Sequence, residues 1–500
     1  MSSSYYPNSS YASTPPGSNT NYGGSGSGSG SNTNYGGSGS GSGLNSNVGG
    51  SGSGSGSSHN DLANDSDNDI LKQLESPNSD WGNAIEVDEE GNIFIAGATY
   101  GNMIDQTYNF TTHTVTDNVV ENDDSSGKTT DAYISRMTIG DRGMISWTNL
   151  IGKRTDDDKF KNDEITAFDR NEEGDIFASL RSEWNSGSYQ KHSESKIVKY
   201  ASDGNGETFY SIGENQDEFN NNLDAYDIEV AKDGGIYVGG HTNYDLNGQE
   251  VSSDYDYNTS DAFVSKFDER NGNHLWTRLL GGNQTDGAYT LELDEEHNHI
   301  YVGGVTTSSF DEQNLNGYYK DGFITKFSKD GEKLWTKFIG TDGVDVIKDI
   351  VVSKESSYDM QTHTMISKDC IYVIGVTDTS FNAEKQIIGG DDIFVMKLDS
   401  DGNNKWDHPV TFGTENNDKV SSSGIILGDL AIATNSIDKV GYSTGYIYNI
   451  TSDGTLLETQ NSKDTVPDKS TKVNDFYFDG TENVYLTGSI EEQLNEKKTG

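Results

Sequence analysis

The sequence predicts an all-β fold: a β-propeller of about seven four-stranded antiparallel blades, the last one incomplete, preceded by a disordered Gly/Ser-rich tail. Three observations predict it. A β-rich phrase ending in small residues recurs seven times, a second phrase follows the first six copies, and no amphipathic helix lies between units. A four-stranded sheet repeated in this way buries both faces by radial stacking. A β-solenoid is the competing architecture, but its rungs are shorter and more uniform than units of about forty-five to seventy residues.

The tail comes first. Residues 18–30 read SNTNYGGSGSGSG, residues 31–43 repeat the same letters, and 44–56 carry a worn third copy. Gly and Ser at this density bury too little apolar surface to offset the entropy of ordering the backbone. Residues 1–60 are therefore expected to be a disordered tail, 61–79 an acidic lead-in, and 80–500 the propeller.

Each unit then reads as four short strands. The first alternates apolar residues, as in AIEVD (84–88) or TLELD (290–294). The second is the recurring phrase: GNIFIAGAT (91–99), GDIFASLRS (174–182), GGIYVGGHT (234–242), NHIYVGGVT (298–306), DCIYVIGVT (369–377), GDLAIATNS (428–436) and ENVYLTGSI (482–490). The third is the DAFVSKF phrase at 261, with relatives beginning at 131, 194, 321, 392 and 444. Its apolar residues face both ways, as a strand buried on two sides requires. The fourth usually carries a Trp four residues after a turn Gly: Trp147, Trp276, Trp335 and Trp406. A large ring at a fixed register suits stacking between neighbouring blades. The blades are expected at about 80–152, 163–213, 224–282, 286–340, 345–413, 418–460 and, in part, 472–500.

The third strand carries a base at one place in five of six units: Arg136, Lys199, Lys266, Lys326 and Lys397. A partly buried base needs a carboxylate. The candidates are the Asp residues that open neighbouring first strands, Asp80, Asp286 and Asp345.

The totals narrow the function. With 81 acids against 35 bases the net charge is −46, which repels nucleic acid and anionic lipid. No apolar run is long enough to span a bilayer. Cys370 is the single cysteine, so neither an internal disulfide nor a cysteine-based zinc site is possible. The first residues show no secretory signal.

The phrases DAFVSKFD, the following Trp and IYVGGVT resemble the bacterial β-propeller repeat family called SBBP. The likeness covers about 80–490, is clearest in 261–413 and is worn in units two and six. It implies a seven-bladed propeller in surface or exported bacterial proteins, with no defined chemistry. Asp268, Gly272 and Trp276 also resemble the tryptophan-docking motif of quinoprotein dehydrogenase propellers, which implies blade stapling. Those enzymes use adjacent cysteines, which a chain with one Cys lacks.

Candidate chemistry is sparse. The turn DSDGNN (399–404) and the stretch NDSDNDILKQLE (64–75) share letters with calcium loops but miss the pattern, at Val410 and Asp69. Calcium is possible; no cofactor is called. His297 and His299 occupy a turn with no third ligand nearby in sequence, which favours a solvated turn. The expected function is a non-enzymatic scaffold, an extracellular or cell-surface interaction module for an unknown protein or glycan. The rivals are a hydrolase or lyase in the central channel, marked by ionisable residues at one mouth that break the seven-fold pattern, and a purely structural spacer.

Two connections carry expectations of their own. The insert TYNFTTHTVTDNVVENDDSSGKTT (107–130) is expected to be exposed and mobile. The seventh unit stops after its second strand, so either NDILKQLES (68–76) returns to lie beside 482–490 or the record is a truncated piece; the missing strands favour truncation.

Overall fold

The computed structural model describes residues 45–52, 72–73 and 80–492, apart from 110–113, 121–128, 139–143, 153–160, 186–190, 214–221, 253–258, 318, 360–363, 383–386, 458–459, 462–468 and 481–482. It is a β-propeller of six four-stranded antiparallel blades and a partial seventh, with no helix among the described residues. Blade 4 shows the plan: Asp286–Asp294, His299–Thr306, Asp321–Ser328 and Lys333–Ile339 pair in that order. The first strands of the seven blades are Asp80–Val87, Asn162–Arg170, Leu223–Val230, Asp286–Asp294, Asp345–Asp359, Asn417–Ile426 and Lys469–Phe478. Each lies against the first strand of the next blade, and the seventh lies against the first, so they line a central channel.

The core is a set of layers between blades. Seven buried apolar clusters sit one at each junction; Phe94, Ile134, Ile165 and Val198 join blades 1 and 2, while Ile85, Tyr133 and Tyr485 join blades 7 and 1. The third strands are buried nearly end to end, as in Asp261–Asp268, because each is covered on both faces.

The tryptophans work at these junctions. A Cβ at Gly331 would fall 2.8 Å from the Trp276 ring, and Gly402 and Gly454 sit in the same way over Trp335 and Trp406. Each ring thus packs under the third turn of the next blade, where φ near +82° (Gly331, Gly402) requires glycine. Trp147 meets Gly204 likewise, and Tyr210 takes the Trp place in blade 2, under Gly272. Trp406 precedes the short fourth strand of blade 5, Val410–Phe412, instead of lying in it.

Three of the five bases reach across a blade junction while Arg136 and Lys199 pair within their own blades, and the partners differ from the expected ones. Lys266, Lys326 and Lys397 are 8%, 5% and 1% exposed. Lys266 Nζ donates to the carbonyl of Lys329 in the next blade at 3.2 Å, the same oxygen that Trp276 Nε1 reaches at 3.2 Å. Lys326 and Trp335 share the Ser400 carbonyl, at 3.0 and 3.3 Å, and Lys397 reaches that of Ser452 at 2.7 Å. Their carboxylates come from the first hairpin of the same blade: Asp233 for Lys266, Glu355 for Lys397, Asp175 for Lys199, and Asp88 with Glu90 for Arg136. Asp80, Asp286 and Asp345 do not take part. The base sits five residues into its strand, about 17 Å from the end where those acids lie. Asp80 instead accepts from Thr99 Oγ1 at 2.5 Å, while Asp286 and Asp345 accept the amides of Gly282 and Thr341 in the connection entering the blade.

Two further expectations change. Part of the long insert pairs: Met103–Asn109 and Thr114–Val120 form a hairpin that lies against the fourth strand of blade 1, with Val119 still 64% exposed, and residues 121–128 fall outside the described residues. The strand beside Asn483–Glu492 is Asn45–Gly52, not 68–76, and it runs parallel. Of 68–76 only Lys72–Gln73 is described, paired to the outer side of Asn45–Gly52.

Candidate functional site at the channel mouth

Every first strand carries one β-bulge at the same register, and its extra residue faces the channel at the end where the first strands begin. The bulged residues are Asn83, Thr166, Tyr226, Tyr289, Lys348, Ser421 and Asn474. A bulge turns a side chain out of the ladder and leaves it free to reach sideways. Asn474 Nδ2 reaches the Gly82 carbonyl at 2.7 Å, Asn83 Nδ2 that of Ile165 at 2.8 Å, and Thr166 Oγ1 that of Ala225 at 3.1 Å. The Tyr226 and Tyr289 rings lie 5.3 Å apart, and Lys348 Nζ stands 4.1 Å over Tyr289. Six of the seven bulged residues of this collar thus reach a neighbouring blade, while Ser421 accepts from Asn435 of its own blade at 2.8 Å.

The collar is lopsided. Tyr226, Tyr289 and Lys348 fill the side of blades 3 to 5, whereas the small residues of blades 1, 2, 6 and 7 leave a cavity of about 430 Å³ bordered by Asn83, Thr166, Lys419, Ser421, Lys472 and Asn474. One step nearer the entrance, the same register holds Trp81, Glu164, Asp224, Gly287, Val346, Lys419 and Lys472. At this register acids face from blades 2 and 3 and lysines from blades 6 and 7, with Lys348 of blade 5 one step deeper. Burial first, then the charges of Lys419 and Lys320, hold the Lys348 amine below its usual pKa.

The acidic side is a network. Arg181 donates to Asp224 at 2.5 Å and to Glu164 and Glu183 at 2.9 Å each. His241 Nε2 lies 3.2 Å from Asp224, with its ring 5.5 Å from that of Tyr226. Burial raises the Asp224 carboxyl, but the His241 hydrogen bond and the Arg181 charge outweigh it and hold the group well below the usual range. These ionisable residues do break the seven-fold pattern at one mouth.

Below the collar the channel is lined by carboxylates: Glu86, Asp169, Asp227, Glu229, Glu292, Asp349 and Asp475. Several hold the next blade by its backbone. Ile85 N donates to Asp475 at 2.9 Å, Val230 N to Asp169 and Leu291 N to Asp227 at 2.7 Å, and Val352 N to Glu292 at 2.8 Å. Burial, then the neighbouring carboxylates, push Asp227 up to about 7 and Glu292 up to about 8. Burial likewise lifts Asp475 to about 7 and Asp349 to about 6. Glu229 is raised well above the usual range by burial and then by Asp169.

The sequence pointed elsewhere. The predicted tryptophans and bases belong to the blade junctions, and Asp80, Asp286 and Asp345 to the entering connections; none of them lines the collar. The collar and the channel acids were missed because a bulge leaves no compositional mark and acids are everywhere. The usable signal was an acid at alternate positions of a predicted inner strand, as in Asp227 and Glu229. In the calcium-like turn, Asp399 Oδ1 accepts the amides of Asp401 and Asn403, at 3.0 and 2.9 Å. Of 64–75, only Lys72 and Gln73 are described. His297 and His299 sit on the opposite face of the ring, at the first turn of blade 4.

Residues 69–104 match the SBBP β-propeller repeat family, a stretch that reaches across the first two strands of blade 1. No curated protein matches the chain. Among solved structures the chain is similar to the Kuenenia stuttgartiensis hydrazine synthase, at 9% identity over 58% of this chain and 64% of that one, with a TM-score of 0.33. A likeness that weak carries no argument about chemistry.

Proposed function

We propose that this chain, a β-propeller carrying an SBBP-type repeat, is a non-enzymatic interaction module of the cell exterior or surface that binds an acidic glycan at the channel mouth. The observation that carries the reading is the lopsided collar. Structural residues repeat from blade to blade; the collar and the ring above it do not, and departures on a rigid scaffold mark recognition. Tyr226 and Tyr289 offer ring faces to a sugar, and Lys348, Lys419 and Lys472 offer charge to its carboxylate. In a chain of net charge −46, two lysines bordering this cavity, Lys419 and Lys472, are a selective feature.

A second reading, a hydrolase or lyase in the channel, is favoured by the His241–Asp224 pair beside Tyr226. Against it, Arg181 is committed to three carboxylates and Asp224 to both Arg181 and His241, the pattern of a satisfied polar network.

An array of neutral and uronic-acid oligosaccharides tests both. Binding to acidic members that is lost in Lys348→Glu and Tyr289→Ala, with the ligand recovered intact, supports the module. Ligand recovered cleaved establishes the enzyme, and an array with no binding removes the recognition role.

A further inference from the structure

Blade 5 opens with a hairpin longer than any other. Its strands, Asp345–Asp359 and Thr364–Thr377, hold 15 and 14 residues, where the blade 4 equivalents hold 9 and 8. The extra length carries blade 5 back over the first turn of blade 4, where Lys354 pairs with Glu296. That contact brings Asp369 against Asp294 and His297. His297 Nδ1 lies 2.9 Å from Asp369 Oδ2 and 3.1 Å from both oxygens of Asp294. His299 Nδ1 is buried, has no hydrogen-bond partner and stands 3.8 Å from Asp294 Oδ2. The carboxylates are sunk in the junction, with side chains 5% and 12% exposed.

The same turn in other blades consumes its own polar groups. In blade 1, Asp88 Oδ1 accepts the amides of Glu90 and Asn92, and Asp88 Oδ2 accepts from Asn92 Nδ2. In blade 2, Asn171 Oδ1 accepts the amides of Glu173 and Asp175. In blade 4, the turn passes through Asn298 at φ +57° and gives Asp294 the amide of His297 alone. One imidazole nitrogen and two carboxylates, of His297, Asp294 and Asp369, are left converging on one point, with His299 Nδ1 standing 3.8 Å from Asp294 at its edge.

We propose that the junction of blades 4 and 5 binds a divalent transition metal of the zinc type through Asp294, His297, His299 and Asp369. The separations fit a shared ion. Ligands at about 2.1 Å from zinc stand roughly 3.0 Å apart at right angles and about 3.4 Å apart in a tetrahedron; the His297 contacts with Asp294, at 3.1 Å, fall in that range, and the 2.9 Å contact with Asp369 lies just below it. The mixed nitrogen and oxygen donors favour zinc over calcium, which takes oxygen ligands. The ion would tie the long hairpin to its neighbour. The site shares no residue with the channel mouth, so it stands or falls independently of the glycan reading.

The test is calorimetric titration of the tag-free full chain with zinc chloride, a cobalt(II) spectrum and thermal unfolding with and without metal. The expected result is one zinc per chain, a higher melting temperature with zinc, and a visible cobalt band from nitrogen coordination. Asp369→Asn and His297→Ala abolish all three, whereas His274→Ala, on blade 3, abolishes none. His299→Gln weakens zinc at least tenfold and alters the cobalt band, a readout that mere loss of a surface ion pair does not give. Absence of zinc binding, binding that survives in the Asp369→Asn, His297→Ala double variant, or calcium stabilising as zinc does without a cobalt band overturns the proposal. Metal-free melting curves of each variant separate loss of the site from loss of the fold.

Discussion

Three donors on one carbonyl show how a single residue can hold a blade junction. Lys329 O accepts from Lys266 Nζ, Trp276 Nε1 and, at 3.3 Å, the Tyr237 hydroxyl. The amine is buried, yet it meets a full carbonyl dipole, the Tyr237 ring face at 5.0 Å and a carboxylate, so its desolvation is offset. The carbonyl is presented by the turn that Gly331 makes possible. Gly331→Ala therefore combines the left-handed backbone cost of about 1 kcal/mol with a Cβ driven into the Trp276 ring. We expect it to lower stability by about 2–3 kcal/mol in denaturant unfolding. Gly480→Ala is the control: φ is +77° and a Cβ there would meet nothing within 4 Å, so about 1 kcal/mol is expected. Equal losses in the two variants would deny the docking a role.

At the scale of elements, strand length and loop content decide what each blade adds to the common plan. The hairpin Met103–Asn109 and Thr114–Val120 begins with Met103, only 1% exposed in the junction cluster of blades 7 and 1, and then lies along the fourth strand of blade 1. A loop of this length without partners would be removable at little cost. A paired hairpin laid on a blade edge is not. Replacing residues 104–128 by a short Gly/Ser linker should lower the midpoint of thermal unfolding by several degrees, because it bares the outer strand of blade 1. An unchanged midpoint in a calorimetric scan would return the segment to the status of a dispensable loop.

The whole molecule is a ring under electrostatic load. Channel carboxylates with folded pKa values near 6 to 8 stand above the roughly 3.9 and 4.3 of unfolded Asp and Glu. The folded state therefore binds more protons between about pH 4 and pH 8, and stability falls as pH rises through that window. Asp224, held low, stays ionised throughout it, and His274 and His299, held below the usual histidine pKa by burial, oppose the trend. The melting temperature should rise by several degrees from pH 8 to pH 5. Glu229→Gln should raise it at pH 8 and flatten the profile, and a fall on acidification across this range would contradict the argument. Closure is the second whole-molecule property. Asn45–Gly52 covers the open side of Asn483–Glu492. A chain beginning at residue 75 should melt earlier than one beginning at residue 44; equal melting would show that this strand adds nothing to the ring.

The sequence by itself determined the local plan: the strands, their turns, the docking of the four repeat tryptophans under turn glycines, and the pairing order within a complete blade. These follow from alternation, β-branched and aromatic content and Gly/Asp turns, all short-range properties written within one unit. Tertiary structure decided everything else that depends on two units meeting. Lys326 could be read as a base needing company, but its partner is a carbonyl 74 residues away, fixed by how far blade 5 rotates past blade 4. Tyr226 reads as one more apolar strand residue until a bulge turns it toward the channel. Asp369 becomes a neighbour of His297 only where the first hairpin of blade 5 packs on that of blade 4. Register within a strand repeats every two residues and shows in the letters. The angle between blades is set by the summed packing of seven interfaces, and no short stretch of sequence records it.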